Sequence, residues 1–365
     1  VRTLLLVLLL APLASAAQVL TPTVLTPLDP ALNETSALVV LNGEVWTLLD
    51  SDNPNALYRL DPATGAVLRT VTVSNASNVD WEELTADADW LYIGDFGNNF
   101  GSRTDLRVYR VPLTELLDPT TTELLADTIS FAYPLQTDFT PAYRANDWDL
   151  EAMVAVHDSL FLFSKNWVSN TSYLYTLPAT PGHHLALRRD TLPADGLVTG
   201  ATYDPANGAV ALVGYSASTF RPFVWRLVGY PAHAFFQGTA ERNALNVLMS
   251  QMEAIAWHGA GTVYLSNESN LLNRAHLWHM PLEVRPGIPE LAPGTPALWP
   301  TPNDGRFILE VEAPAQLELF DTSGRRVWQQ ALRPGTNHIA INVPNGVYIV
   351  RTGTRNAVLR MTVVQ

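Results

Sequence analysis

Short apolar runs separated by polar breaks fill the first 280 or so residues, and acidic residues stand at matching places in successive runs. Asp149-Leu150-Glu151-Ala152-Met153 opens one run, Asp158 lies in the break, and Leu160-Phe161-Leu162-Phe163-Ser164-Lys165 ends on a charge. The order recurs from Asp80-Trp81-Glu82-Glu83-Leu84 to 91–95, and from Gln251-Met252-Glu253-Ala254-Ile255 to 263–268. It recurs again from Leu197-Val198-Thr199-Gly200-Ala201 to 210–215, and a looser copy runs from Glu34 through Leu38 to 45–50. A third run with an aromatic near its start follows each copy, as in Val108-Tyr109-Arg110-Val111, and a weaker fourth follows several, as at 67–73 and 128–133. Four short strands per repeated unit predict the blades of a β-propeller.

The copies place blades at about 34–78, 80–145, 146–195, 196–248 and 250–283. The long 112–146 segment, or the two ends of the domain, leaves room for a sixth. Residues 18–33, with Pro22, Pro27 and Pro30, lead in as an outer strand that closes the ring. After 283 the pattern changes. Seven prolines fall between Pro281 and Pro302, which predicts a stiff extended linker over 284–300. Six short alternating runs follow, with Gly305, Ser323-Gly324, Pro334-Gly335 and Asn345-Gly346 at their turns. The expected fold is therefore all-β: a five- or six-bladed β-propeller over 18–283, followed by a small Ig-like β-sandwich over 301–365.

Blades are antiparallel meanders, so a residue that starts strand one shares a mouth with the residue that ends strand two. Glu34, Glu82, Glu151, Thr199 and Glu253 are thus expected at one mouth with Asp50, Asp95, Lys165, Tyr215 and Glu268. The result is an acidic ring containing one lysine. Three readings stay open. The ring holds a divalent cation such as calcium, with Glu82, Asp95, Glu151 and Glu253 as ligands. It performs acid–base hydrolysis, since crowded carboxylates split their pKa values. Or each glutamate caps the amides where an innermost strand begins. Repetition favours the cap; Lys165 and Thr199 break the repeat, and departures from a repeat are where function tends to sit. A wide mouth with exposed Phe96, Trp148, Trp167 and Phe220 would suit binding without catalysis. The segment Gly94–Arg103, rich in residues that favour positive φ, reads as a tight exposed loop at the same mouth.

Composition narrows the partners. A net charge of −13 argues against nucleic acid, which needs clustered Lys and Arg. The chain has no cysteine, so disulfides, thiol catalysis and cysteine-ligated zinc are excluded. Arg2, an apolar 3–13 and Ala14-Ser15-Ala16 predict a signal peptide over 1–17. No other stretch approaches membrane-spanning length. The histidines form no convincing set, and His183-His184 reads as part of a turn.

The tail resembles the C-terminal type A sorting domain of the bacterial type IX secretion system. The stretches that carry the resemblance are Pro302-Asn303-Asp304-Gly305-Arg306-Phe307, 319–327 around Gly324, and Pro344-Asn345-Gly346-Val347-Tyr348-Ile349-Val350. The ending from Arg360 departs from the usual lysine before the last strand. The resemblance implies export to the outer surface of a Gram-negative cell or beyond, with the type IX machinery as partner through Asn303, Gly305, Gly324, Asn345, Gly346 and Tyr348. It also implies that the tail is commonly removed. More loosely, 34–38, 80–84, 94–99 and 149–153 are similar to gluconolactonase-like, esterase-like phytase and related calcium-dependent propellers. That likeness implies calcium as cofactor and an unidentified extracellular ligand. Either the protein binds that ligand at the surface, or it hydrolyses an ester, lactone or phosphate ester.

Overall fold

The computed structural model describes residues 19–259, 261–271, 273–282, 297–299, 305–311, 313–321, 324–352 and 357–363. The expected signal peptide, most of the expected linker and Asn303 lie outside these residues. Among the described residues strands dominate, with three short helical segments at Pro30–Leu32, Leu113–Leu116 and Phe235–Gln237.

Five sheets form among the described residues up to 282. Their first strands are Val39–Leu41 (sheet I), Trp81–Ala86 (II), Leu150–Val156 (III), Leu197–Asp204 (IV) and Met252–Trp257 (V). In each sheet the following strands pair outward in chain order as an antiparallel meander. The first strands lie against one another in cyclic order, I to II to III to IV to V and back to I. Apolar side chains fill the spaces between neighbouring sheets. Trp46, Leu57 and Val71 meet Trp81, Leu91 and Tyr109 between I and II. Tyr92 and Ile129 meet Met153, Leu162 and Tyr175 between II and III. Leu38 and Tyr58 meet Ala254, Tyr264 and Leu277 between I and V, so the last sheet packs on the first. This is propeller-like packing, in which alternating strand residues face two neighbours rather than one core and solvent.

The outer edges are covered by strands borrowed from elsewhere in the chain. Glu123–Leu124 leaves the second unit and pairs in parallel with Val67–Val73 of sheet I. Gly182–Leu185 leaves the third and pairs in parallel with Asp127–Ala132 of sheet II. His183 and His184 therefore sit on a strand, not in the expected turn. At the amino end, Val19–Leu20 pairs with sheet IV, and Thr23–Pro27 pairs antiparallel with His276–Pro281 of sheet V. An open sheet edge exposes unpaired amides, and these additions cover it. The 112–146 segment forms no sixth sheet among the described residues. It supplies the turn at Leu113–Leu116, the edge strand on sheet I and the fourth strand of sheet II.

The first strands have no backbone partner on their inner side, so side chains close the ring. Ser36 donates to Trp81 O at 3.0 Å, and Thr85 Oγ1 accepts from Ala155 N at 3.0 Å. Thr199 donates to Met252 O at 2.6 Å. Glu83, fully buried, accepts from Leu84 N at 2.9 Å and from Ala201 N at 2.7 Å, tying sheet II to sheet IV. Backbones approach closely here: a Cβ on Gly200 would lie 2.5 Å from Glu253 O. Each bond satisfies a buried polar group that the sheet ladders leave out.

In the C-terminal segment, Ala297–Trp299, Arg306–Val311 and Gly335–Ala340 form one sheet. Arg326–Leu332, Ala315–Phe320, Gly346–Thr352 and Ala357–Val363 form another. One apolar core, including Phe307, Leu317, Ile339, Val350 and Met361, lies within them. The first strand falls inside the expected linker, because the Leu298–Leu309 pairing gives it a ladder partner that proline content alone does not reveal.

Candidate functional site

The first strands of sheets II, III and V each begin with a register shift. Trp81 faces Asp95 but Glu83 faces Gly94, leaving Glu82 as the extra residue. Glu151 and Glu253 are the extra residues of the same irregularity in sheets III and V. A bulge of this kind re-aims one side chain out of the pleat. Here it turns three glutamates, 3–4 % exposed, away from the inter-sheet cores. Thr199 holds this position in sheet IV. In sheet I it belongs to Ser36, which like Thr199 donates to the carbonyl just before the next sheet's glutamate. The expected Glu34 lies two residues earlier, is exposed, and accepts from Asn53 Nδ2 at 2.5 Å. The carbonyl of Glu34 takes the amide of Asp50, as that of Asp149 takes Lys165 and that of Gln251 takes Glu268. Glu34 is therefore the counterpart of Asp80, Asp149 and Gln251.

Asp50, Lys165 and Glu268 come to one centre with Glu82, Glu151, Glu253, Thr199 and Tyr215. Asp95 does not. It pairs opposite Trp81, one residue short of the position that Lys165 and Glu268 hold, and a one-residue offset sends a strand side chain to the other face. Its carboxylate, fully buried, meets Arg103 at 2.9 Å and Arg107 at 3.6 Å and accepts from Asp80 N at 3.1 Å. Asp95 is thus engaged by two guanidiniums and lies outside the three-carboxylate group, in which Asp80 is found instead. The 94–103 segment is also less exposed than expected: Phe96 is fully buried, and Asn98 N donates to Asp149 Oδ1 at 2.6 Å.

The centre is crowded with carboxylates. Ligand oxygens of Asp50, Asp80 and Glu82 all lie within 4.8 Å of one another. Gly97 leaves them room, since a Cβ there would lie 2.3 Å from Glu82 Oε1 and 2.5 Å from Asp80 Oδ2. Burial, with Asp50 and Asp149 nearby, pushes Asp80 up to about 7. Burial also raises Glu253 to about 7, against the pull of Lys165. Burial, then the neighbouring acids, hold Glu82 and Glu268 well above the ordinary carboxylate range. Lys165 Nζ sits 2.8 Å from Glu151 Oε1, with the rings of Trp167 and Tyr215 at 5.0 and 5.7 Å. Burial pulls the lysine down, but Glu151, Tyr215 and Glu253 outweigh it, so its pKa is raised. Lys165 is the only lysine in the whole chain.

Two buried carboxylate oxygens, Asp95 Oδ2 and Glu253 Oε2, lack a hydrogen-bond partner among the described residues. Glu253 Oε1 accepts from Gln251 at 3.3 Å. The Thr199 hydroxyl donates to Met252 O at 2.6 Å and also lies within hydrogen-bonding reach of the Glu253 carboxylate, lowering its pKa. An oxygen-only donor set with spare lone pairs and excess negative charge fits a hard divalent cation. It does not fit a soft one.

Above the centre, the rim is aromatic and cationic. Phe100 and Tyr143, both more than half exposed, meet in a tilted contact at 4.9 Å, and Arg144 bridges Tyr143 and Trp167 at 5.0 and 4.6 Å. Phe220, 37 % exposed, stacks on Tyr215 at 5.7 Å. Trp148 and Trp167 are half-buried.

Residues 297–365 match the family described as the secretion system C-terminal sorting domain. The tail is a type IX sorting domain. The chain is therefore exported, as a secreted or cell-surface protein. Of the expected motif residues, Gly305 and Gly324 take positive φ of 90° and 82° at turns. Gly346 opens a strand after Asn345, and Tyr348 pins that turn by donating to Pro344 O at 2.6 Å. Among curated proteins nothing matches the chain. Several solved structures are similar at low identity. An exo-β-1,3-galactanase from Phanerochaete chrysosporium is 9 % identical over 96 % of this chain and 100 % of its own, with a TM-score of 0.44. The Cps50 (Swd1) β-propeller domain of Myceliophteria thermophila is 7 % identical over 70 % and 99 %, at 0.36. A putative 6-phosphogluconolactonase from Bacteroides uniformis is 15 % identical over 83 % and 88 %, at 0.31. At these scores none of them bears on activity.

Proposed function

We propose that the exported domain is a five-bladed propeller whose mouth holds a divalent cation, calcium first, and binds an extracellular ligand rich in oxygen donors. The observation that carries this is the convergence of Asp50, Asp80 and Glu82 within 4.8 Å, with Glu253 in electrostatic reach of Asp50. A bound cation neutralises this excess of carboxylates and offers open coordination positions to a ligand oxygen. Lys165 holds Glu151 in place, and the rim of Phe100, Tyr143, Arg144 and Trp167 supplies faces for apolar or ring surfaces. Sheet closure between I and V supports the blade count.

Isothermal titration of calcium into the chelator-treated full chain tests the reading. One site is expected, weakened at least tenfold by Glu82→Gln. Binding unchanged in that variant, or no binding of calcium, magnesium or manganese, would sink it. Hydrolysis is the second reading. It is favoured by Asp80, held at about 7 within the three-carboxylate cluster, in the range where a general acid or base works best. Turnover of ester, lactone or phosphate-ester substrates, lost in Asp80→Asn, would move the assignment there.

A further inference from the structure

A cavity lies outside the carboxylate centre, between the fourth strand of sheet II and the third and fourth strands of sheet III. Its volume is about 210 Å³. Tyr133, Trp148, Tyr173 and Tyr175 line it, with Asp147 and Arg188 among them. The rings form a connected wall: Tyr133 lies 5.2 Å from Trp148 and 4.9 Å from Tyr175, and Tyr175 lies 6.3 Å from Tyr173. Tyr133 and Tyr175 are buried, which fixes them, while Trp148 and Tyr173 are half-buried and open to the cavity. Arg188 is held in place by stacking on Tyr173 at 3.6 Å and by donating to Thr191 at 2.8 Å. Asp147 is held by the amides of Val168 and Ser169 on one oxygen, Oδ1. The two rings Tyr133 and Tyr175 are fixed by burial, Asp147 is half-buried, and Arg188 is an exposed side chain oriented by Tyr173 and Thr191.

We propose that this cavity binds one neutral pyranose ring of a glycan. Three observations point to that ligand class. The wall is aromatic, so it matches the C–H face of a sugar better than a fully polar solute. The two charged groups have opposite sign, so neither a cation nor an anion gains from both of them. A neutral polyhydroxylated ring does, because a hydroxyl donates to Asp147 and another accepts from Arg188. The size is the third: about 210 Å³ is below the ~300–1,000 Å³ of pockets for larger ligands, so it fits a single ring. The cavity uses none of the carboxylates assigned to the cation, so the two proposals stand or fall separately.

The test is saturation-transfer NMR on the full chain with methyl glycosides of glucose, galactose, mannose and N-acetylglucosamine at millimolar concentration. Transfer to the ring protons of at least one glycoside is expected, with at least tenfold weaker binding in Trp148→Ala. Leu135→Trp places a bulky ring at the rim on a residue 72 % exposed, so it blocks entry without touching the core, and should abolish transfer. Leu135→Trp carries the test if Trp148→Ala does not fold. No transfer to any glycoside overturns the proposal. So does transfer that survives the block, and so does tetramethylammonium competing for the cavity.

Discussion

Lys165→Met removes the one lysine of the chain from the centre of its acidic cluster. Lys165 is 5 % exposed, and its ammonium meets Glu151 at 2.8 Å. Methionine fills much of the same volume, so the loss is electrostatic and not a cavity. Breaking a buried ion pair by removing one partner costs roughly 3–5 kcal/mol, because the other charge stays buried without compensation. For a chain of this size each kcal/mol moves Tm by about 1–2 °C, so a fall of about 3–10 °C is expected at pH 8. The cost should shrink at pH 5. Glu253, raised to about 7 in the fold, is neutral at pH 5 and needs no counter-charge, and burial raises Glu151 in the same direction. Calcium should recover more stability in the variant than in the parent, since the competing ammonium is gone. Thermal unfolding at the two pH values, with and without calcium, reads all three effects. Amine acylation followed by mass spectrometry adds a direct check, because Lys165 is the only side-chain amine and should resist modification until the fold opens. A Tm loss equal at both pH values, or rapid acylation of the folded parent, would refute the reasoning.

Three further outcomes follow from the same geometry. In chelator, the parent should lose stability between pH 5 and pH 8: carboxyls such as Asp80 and Glu253, with folded pKa raised to about 7, stabilise fully below their unfolded pKa and lose that contribution as pH rises through 7. Chemical denaturation across that range checks the sign, and excess calcium should flatten the slope. Glu83→Ala leaves the buried amides of Leu84 and Ala201 unpaired at about 1–3 kcal/mol each, so urea unfolding should show a loss of about 2–6 kcal/mol. Gly97→Ala puts a methyl against Asp80 and Glu82 and should weaken calcium at least tenfold in a titration while the fold, read by circular dichroism, persists.

Much of the frame was legible because the repeat is written in apolar runs whose period matches strands. The meander order and the closing strand at Thr23–Pro27 follow from it. The register of sheet I was harder. The five-residue blocks already set Ser36 opposite Glu82, in third place, but the charge of Glu34 drew attention to first place instead. The same blocks held Asp80 and Asp149 in view without showing that Asp80 joins the cluster, since that depends on the fold of the 94–103 segment over it. Asp95 misleads for a related reason: a bulge shifts pairing by one residue, and nothing in the local sequence marks which face results. The uniqueness of Lys165 was a countable signal. The aromatic cavity was not legible, because Tyr133, Trp148 and Tyr175 come together only when sheets II and III pack.

The most direct measurement is thermal unfolding of the purified full chain after chelation, with and without calcium, beside an Asp80→Asn, Glu82→Gln double variant. At a calcium concentration about a hundred times its Kd, linkage gives about 2.7 kcal/mol, or a Tm rise of about 3–5 °C, in the parent alone. Equal Tm with and without calcium in the parent, together with no metal in the protein as purified, would contradict the cation-holding mouth.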